Sequence, residues 1–344
     1  MDEYKFKEDD FTLVSEANDI HQSDTTYHSQ SFWQDVYSRL KRNKGSMFGL
    51  ICITIILFMA IIGPMISGYS YKEQNTKYAL LPPRIQGIEK LGVFDGKQWR
   101  DVNGKKELED KYAEKGAKNI YYWFGTDNLG RDLFTRCWSG TRVSLFIAGV
   151  AVAIDVVIGM TYGLISGYFG GVLDIAMQRF IEIVSGIPTL IIVTILMLVL
   201  QPGLMTITLA LMIAGWIGMS RTTRAQVLKL KEQEYILASR TLGSKSSTII
   251  FKDVLPNIFG QIIIMSMFSI PNAIFTEAFL AFIGLGVPAP TASLGVLISD
   301  GNKVIMTSPY MLFIPVVILA VLMLSFNLLA DGLRDAFDVR MKEM

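Results

Sequence analysis

Long apolar runs alternate with polar segments along this chain, and six of these runs are predicted to be membrane-spanning helices. They extend over Met47 to Ser67, Val143 to Ser166, Ile181 to Leu200, Leu204 to Ser220, Ile258 to Leu285 and Tyr310 to Leu329. A helix that rises about 1.5 Å per residue needs about 20 residues to cross a hydrocarbon core of about 30 Å. The pattern therefore predicts an all-α membrane protein with six transmembrane helices.

The first run is predicted to be a retained anchor and not a cleaved signal sequence. A signal peptide has a short basic start followed by an apolar stretch of about 7–15 residues. Here a polar tail rich in Asp and Glu, residues 1–45, precedes the run, and the run itself is longer.

Basic residues near the ends of the runs predict the orientation, because Lys and Arg concentrate on the cytosolic side. Arg39, Lys41, Arg42 and Lys44 precede the first run, which places the N-terminus inside. Six crossings return the C-terminus to the same side. The predicted order is a cytosolic tail (1–45), the first helix (46–68), an extracellular insert (69–140), a transmembrane core (141–335, with a cytosolic segment 221–257) and a cytosolic tail (336–344).

The insert between the first two spans is too long for a structureless loop, so a fold of its own or a docked partner is expected. The dipeptides Asp95-Gly96 and Asn103-Gly104 predict small hairpins, and the charged run Lys105 to Lys118 predicts a short helix. The alternative is a solvated spacer.

The cytosolic segment 221–257 has a helical composition. Gly243 is expected to interrupt it and Pro256 to end it, because proline lacks the N–H that a continuing helix needs. Leu237, Leu242 and Ile249 are apolar, so this face packs either on the protein's own inner surface or on a partner.

Composition supports a lipid environment. Hydrophobic residues make up 51% of the 344 residues and charged residues 18%, compared with about 25% charged in an average soluble domain. The net charge of +1 is uninformative. Two scattered cysteines, Cys52 and Cys137, and two histidines, His21 and His28, predict neither a disulfide framework nor a metal site.

Three carboxylates, Asp155, Glu182 and Glu277, lie in or at the predicted spans. Intramembrane acids are costly and mark either a transport pathway or a polar contact between packed helices. Both interpretations stay open for these residues.

Two further patterns concern helix geometry. Gly159, Gly163, Gly167 and Gly171 recur every four residues, which predicts close packing of one helix face, although Gly167 and Gly171 could instead belong to a turn. Pro188 and Pro271 are expected to kink the third and fifth spans.

The cytosolic segment contains Glu234-Tyr-Ile-Leu-Ala-Ser-Arg-Thr-Leu-Gly243, then nine residues, then Asp253-Val-Leu-Pro256. This resembles the "EAA" loop of ABC-importer permeases, with Ala238, Gly243, Leu255 and Pro256 at the family's positions. Leu237, Ser239 and Asp253 depart from the general pattern.

Further motifs resemble the C-type permeases of oligopeptide, dipeptide and nickel importers. They are Phe124-Gly-Thr-Asp-Asn-Leu-Gly-Arg-Asp132, Gly167-Tyr-Phe-Gly-Gly171 and Phe282-Ile-Gly-Leu-Gly-Val-Pro-Ala-Pro290 followed by Ser299-Asp-Gly301. The resemblance covers residues 33 to 340, and the insert with Leu81-Pro-Pro-Arg84 is similar to oligopeptide members from Gram-positive bacteria.

The resemblance implies a type I ABC-importer permease fold in a bacterial plasma membrane. It also implies a homologous B-type permease, two ATP-binding subunits that hold ATP and Mg²⁺, an extracellular lipid-anchored or periplasmic peptide-binding protein, and a peptide substrate. No nucleic-acid partner and no cofactor bound by this chain are expected. The residues implied in coupling to the ATPase are Leu237, Ala238, Ser239, Leu242, Gly243, Ile249, Leu255 and Pro256.

The chain lacks the Gly-x4-Gly-Lys-Ser/Thr run that cradles nucleotide phosphates, so it is expected not to hydrolyse ATP. Two other classes remain open. An ion-coupled secondary transporter would use intramembrane carboxylates and inverted repeats, and a scaffold or receptor would use the insert as a ligand module.

Overall fold

The computed structural model describes residues 32–92, 94–102 and 105–341 of the chain, and these residues form a mostly helical protein. We label the helices in chain order as follows: α1 Phe32–Arg42, α2 Lys44–Ile66, α3 Lys111–Glu114, α4 Leu133–Phe169, α5 Gly171–Ser185, α6 Thr189–Leu200, α7 Leu204–Leu230, α8 Glu234–Thr241, α9 Ser246–Leu285, α10 Leu294–Asn302 and α11 Tyr310–Met341. The description leaves out residues 1–31, which include His21 and His28, and the residues after 341.

Five of the described helices, α2, α4, α7, α9 and α11, are long and apolar enough to cross a membrane. The pair α5 and α6 makes a sixth span if it is counted as one, and the two helices are bent by 74°. The prediction of an all-α membrane protein with six spans is confirmed in this form.

The first span begins at a defined cap. The Asn43 side chain accepts hydrogen bonds from the Gly45 and Ser46 amides, which supplies the acceptor that the free N–H groups of a helix start require. From there α2 packs against α11 and α4. Its buried Ile53 and Ile56 belong to a core that also contains Phe134, Trp138 and Phe326, with other residues.

Glycines bring α4 and α7 into close contact. A Cβ built at Gly163 would lie 2.5 Å from the Ser220 carbonyl oxygen, and one at Gly159 would lie 2.7 Å from the Trp216 oxygen. Gly167 likewise faces this helix, so the prediction of one close-packed face is confirmed for these three. Gly171 has a φ of +58° and open space around it, so it belongs to the turn between α4 and α5.

Two spans contain widened π turns. In α4 the turn covers Asp155–Met160, and in α9 one such turn covers Ile249–Val254, shortly before Pro256, and a second covers Ala281–Leu285. The expectation that Pro256 ends the preceding helix is wrong, because α9 begins at Ser246 and continues through the proline. A local π turn can provide another partner for the backbone carbonyl that the missing proline N–H leaves free.

The third predicted span is broken and not merely kinked. Helix α5 ends at Ser185, Pro188 takes an extended ψ of 128°, and α6 starts at Thr189. The missing proline N–H and the bias of its preceding residue against helical backbone favour this break. Pro271, by contrast, lies inside the continuous helix α9.

The insert has a small fold of its own, which was the first of the two predictions for it. Strands β1 (Lys97–Val102) and β2 (Lys105–Asp110) form an antiparallel pair. A separate core contains Leu81, Tyr112, Ala117 and Tyr122. The insert is tied to the helices where the Tyr310 hydroxyl donates to the Thr126 carbonyl.

Two details of the insert differ from prediction. Asp95-Gly96 does not form a hairpin turn, since Asp95 bridges to Arg84. The charged run after Lys105 is a strand up to Asp110 and only then a short helix, α3, because residues 105–110 pair with residues 97–102. The dipeptide Asn103-Gly104 lies outside the described residues, although the strands on either side form the predicted hairpin.

Helix α10 was not predicted from the sequence. Helix α10 follows the end of α9 and packs beside α9 and α11 on the side of the insert, with Leu294 and Leu297 buried. It starts at Ser293, whose hydroxyl accepts a hydrogen bond from the Val296 amide. Its short apolar stretch, with Gly295 in the first turn, gave no clear periodic pattern in the sequence.

Candidate functional site

Helix α8 forms a short projection between the ends of α7 and α9, on the side of the bundle opposite the insert. It is attached through Ile236, which is fully buried and packs with Ile249, Val254 and Ile258 of α9. Tyr235 is half-exposed, and its hydroxyl accepts a hydrogen bond from the Asn257 side chain. One face of α8 is therefore fixed to the bundle while the other is solvent-facing.

Gly243 ends this helix with a left-handed residue. Its φ is +80°, its amide donates to the Arg240 carbonyl, and the next amide, Ser244, donates to the Ser239 carbonyl. This pair of bonds is the Schellman motif, which requires a left-handed residue where glycine is favoured. The interruption of the helical segment predicted at Gly243 is confirmed, and the residue acts as a helix cap.

The predicted coupling residues divide into an exposed set and a buried one. Leu237 is 48% exposed and Leu242 is 85% exposed. Ala238 is also exposed, and Ser239 is partly buried. Ile249 is 1% exposed and packs on the protein's own inner surface, which was one of the two alternatives for this apolar face, whereas the two leucines are exposed.

Leu255 and Pro256 lie near the start of α9, just after its π turn. Leu255 is partly buried against the core that holds Ile249, whereas Pro256 is exposed. Leu255 and Ile249 belong to the core that also holds Ile236 of α8. The leucines at 237 and 242 form the exposed tip, and we call α8 with residues 242–245 the coupling elbow.

The sequence did not reveal the contact that joins the coupling elbow to α4, or those that join the end of α7 to α5 and α4 beside it. The Arg240 guanidinium lies 4.9 Å from the centre of the Tyr168 ring at the end of α4. Arg224 of α7 makes two hydrogen bonds of 2.6 Å to Asp174 of α5. The Lys231 ammonium donates to the Gly167 carbonyl. The sequence showed charged residues close to the ends of apolar runs. It could not show their partners, because the two residues of each pair are far apart in the chain.

The three predicted carboxylates lie in different surroundings. Glu277 is fully buried, and its Oε2 accepts a hydrogen bond of 3.0 Å from Ser144 of α4. Glu182 of α5 is exposed and pairs with Arg179 at 2.6 Å. Asp155 is 6% exposed and lies at the start of the π turn in α4. The structure therefore does not bring them together in one site.

A buried ion cluster lies across the start of α4, and its Asp127 and Arg131 belong to the motif that resembles the C-type permeases. The Asp127 carboxylate accepts from Arg131 at 2.6 Å and from Arg136 at 2.5 Å, and all three side chains are nearly fully buried. Next to it, burial raises the pKa of Asp132, and hydrogen bonds from Thr135 oppose that rise. The cluster holds the start of α4 against the insert.

Among the described residues, no group of three or more His, Cys, Asp or Glu side chains is arranged to hold a metal ion. Cys52 and Cys137 are both free thiols, and Cys137 is buried.

Comparison with known proteins decides the family. Residues 159–343 match the model of the binding-protein-dependent transport system inner membrane component, and residues 31–83 match that of the N-terminal transmembrane domain of oligopeptide transport permease C. The chain belongs to the binding-protein-dependent transport permease family.

Similar members of this permease family share most of their length with the chain. An oligopeptide transport system permease protein OppC of Bacillus subtilis is 42% identical over 92% of this chain and 92% of its own. A dipeptide transport system permease protein DppC of Lactococcus lactis is 41% identical over 97% of this chain and 98% of its own. A DppC of Bacillus subtilis is 41% identical over 91% of this chain and 88% of its own.

Among solved structures, an inward-facing methionine ABC transporter, MetNI, covers 58% of this chain and 96% of its own at 18% identity, with a TM-score of 0.49. Membership of the permease family confirms the predicted fold class, a type I ABC-importer permease, and makes the chain a multi-span membrane permease.

Proposed function

We propose that this permease is one of two transmembrane subunits of an ABC importer that carries peptides into the cell. The observation that carries the proposal is the identity of 41–42% to OppC and DppC over at least 91% of this chain. Both relatives are named as peptide permeases, so the identity supports oligopeptides and dipeptides equally.

In this proposal ATP is hydrolysed by separate subunits that dock on the coupling elbow. The fixed face at Ile236 and the exposed tip at Leu237 and Leu242 support this role. A rigid helix with an apolar tip can enter a cleft in a soluble partner and transmit its movement to α7 and α9.

The chain lies in the plasma membrane with both termini in the cytosol, since basic residues flank α1 and the start of α2.

The remaining partners follow from the same proposal. A homologous B-type permease completes the translocation path, and an extracellular peptide-binding protein delivers the substrate on the side of the insert. The insert's separate core gives that side a folded surface.

The test is peptide uptake by the complete complex, reconstituted in vesicles with its second permease, two ATPase subunits and binding protein. The proposal expects uptake of labelled peptides only when ATP is present on the ATPase side. A series of two- to five-residue peptides separates dipeptide from oligopeptide transport. Uptake driven by an ion gradient without ATP would favour the secondary transporter, and uptake of no peptide under either condition would refute a peptide permease.

A further inference from the structure

Asp155 opens onto a cleft among the second, fourth and fifth spans of this chain. The cleft has a volume of about 230 Å³ and lies between α4, α7 and α9. At about 1.5 Å per residue, Asp155 is about 21 Å along α4 from its end at Phe169, and Asn272 is about 20 Å along α9 from its end at Leu285. Helix α4 ends on the side of the coupling elbow, whereas α9 ends on the side of the insert. The cleft is therefore about 20 Å from both sides and lies near the middle of the membrane.

Polar groups line one wall of this cleft. Asp155 interacts with the hydroxyl of Ser269, and Asn272 and Thr276 follow on the same face of α9. Asn272 is exposed in the isolated chain. An amide exposed to hydrocarbon would be unfavourable, so this wall must face either water or another polar surface.

The opposite wall is open. Gly215 and Gly218 of α7 face the cleft, and a Cβ built at Gly218 would meet no atom within 4 Å. Two exposed glycines on a span leave room for another backbone to approach closely. The π turn that begins at Asp155 widens the helix at the same level, and π turns frequently occur at functional sites.

The Asp155 carboxylate has no cationic partner here. None of the residues that line the cleft, all of them within the described part of the chain, is Lys, Arg or His. A structural carboxylate inside a membrane is ordinarily paired with a basic group or fully enclosed by donors. Asp155 instead combines a single hydroxyl contact with an adjacent cavity, which fits a cation supplied from outside the chain.

We infer that this cleft is a binding site on the transport path for the protonated α-amino group of the peptide. This inference rests on the proposed function. Asp155 pairs with the ammonium group, while Asn272 offers both a donor and an acceptor to the first peptide bond. The glycine wall accommodates the peptide backbone. Recognition of groups common to all peptides would leave side-chain preference to other parts of the transporter.

The test compares uptake of one tripeptide in its free-amine and N-acetylated forms by the reconstituted complex, at saturating concentrations of loaded binding protein. The wild-type complex should transport the free-amine form at least tenfold faster. Asp155→Asn should lower uptake of the free-amine form about tenfold, which corresponds to about 1.4 kcal/mol. It should change uptake of the acetylated form less than twofold, so the preference disappears.

A matched control is Thr54→Val, which also removes a polar group from a span but lies on α2, away from the cleft. Its hydroxyl donates to the Leu50 carbonyl of its own helix, so both uptake rates should stay unchanged. An equal loss with both peptides in Asp155→Asn would show a structural role and overturn the inference. Unchanged uptake of the free-amine form would overturn it as well.

A second variant tests the cleft without altering the carboxylate. Gly218→Leu fills open space and should lower uptake of both peptides at least tenfold in complexes that assemble to the wild-type level. Wild-type rates in Gly218→Leu would contradict the inference even if Asp155→Asn failed to assemble. Failure of the wild-type complex to transport any peptide would instead refute the proposed function.

Discussion

At the scale of single residues, the most important residues are those whose backbone conformation or charge no neighbouring residue can supply. Gly243 takes a left-handed conformation that a residue with a Cβ resists, and Asp127 is the carboxylate shared by two buried guanidinium groups. Both were visible in the sequence as motif positions. Only Gly243 came with a physical reason, because its turn follows from local backbone chemistry.

Replacing Gly243 by valine should weaken the end of α8. A non-glycine residue in the left-handed conformation costs roughly 1–2 kcal/mol, and about 1 kcal/mol corresponds to about a fivefold change in a population. We therefore expect ATP-driven peptide uptake to fall about fivefold or more in Gly243→Val. Gly243→Asn is the control, since asparagine tolerates this conformation, and it should keep most of the activity. Wild-type uptake in the valine variant would show that the turn has no part in coupling.

Replacing Asp127 by asparagine should destabilise the protein. Removing one partner of a buried ion pair typically costs about 3–5 kcal/mol, because the remaining charge stays buried. We expect a lower midpoint of thermal denaturation for the purified complex with Asp127→Asn. Asp300→Asn breaks the exposed pair with Lys303 and is the control, with an expected cost of about 0–1 kcal/mol. Equal midpoints for the two variants would contradict a stabilising role of the cluster.

At the scale of elements, the spans illustrate what periodicity can and cannot predict. Five runs appear as continuous helices because an apolar stretch in lipid must satisfy its own backbone hydrogen bonds. Their ends were less predictable, since α4, α7 and α9 extend into polar residues beyond the apolar run. The effects of two prolines were also less predictable. The helix breaks at Pro188 but continues through Pro256, where a π turn compensates for the missing proline N–H.

The packing of α4 on α7 gives a direct test at this scale. Gly163→Ala places a Cβ 2.5 Å from the backbone oxygen of Ser220, so the two helices must separate. Overpacking of this kind costs typically about 1–3 kcal/mol, and we expect a lower yield and a lower thermal midpoint. Gly149→Ala lies on the same helix with no atom within 4 Å and should be neutral. A harmless Gly163→Ala would show that the spans are less closely packed.

The candidate site was only partly predictable for a related reason. The motif from Glu234 to Pro256 located the coupling elbow, but residue types alone did not show that Ile249 faces inward while Leu242 faces outward. The contacts of Arg240 with Tyr168 and of Arg224 with Asp174 join residues distant in sequence. Such pairs require the packing of whole helices, which no local pattern contains.

At the scale of the whole molecule, the fold separates two working surfaces. The insert and α10 lie at one end of the bundle, and the coupling elbow lies at the other. The elbow joins α7 and α9 directly, and these two helices also supply walls of the cleft beside Asp155. In the proposed function, movement of the elbow would change the cleft through these two helices and so link ATP hydrolysis by separate subunits to transport.

The most direct test of the account is chemical crosslinking between the coupling elbow and the ATPase subunits in the assembled complex. Leu242→Cys places a thiol on a residue that is 85% exposed, whereas the native Cys137 is buried and Cys52 lies within α2. Leu108→Cys, on the insert, is the control. With a short water-soluble thiol-to-amine crosslinker, the account predicts an ATPase adduct for Leu242→Cys alone, at a yield that changes when nucleotide is added. No ATPase adduct at Leu242, or an equal yield from Leu108, would contradict it.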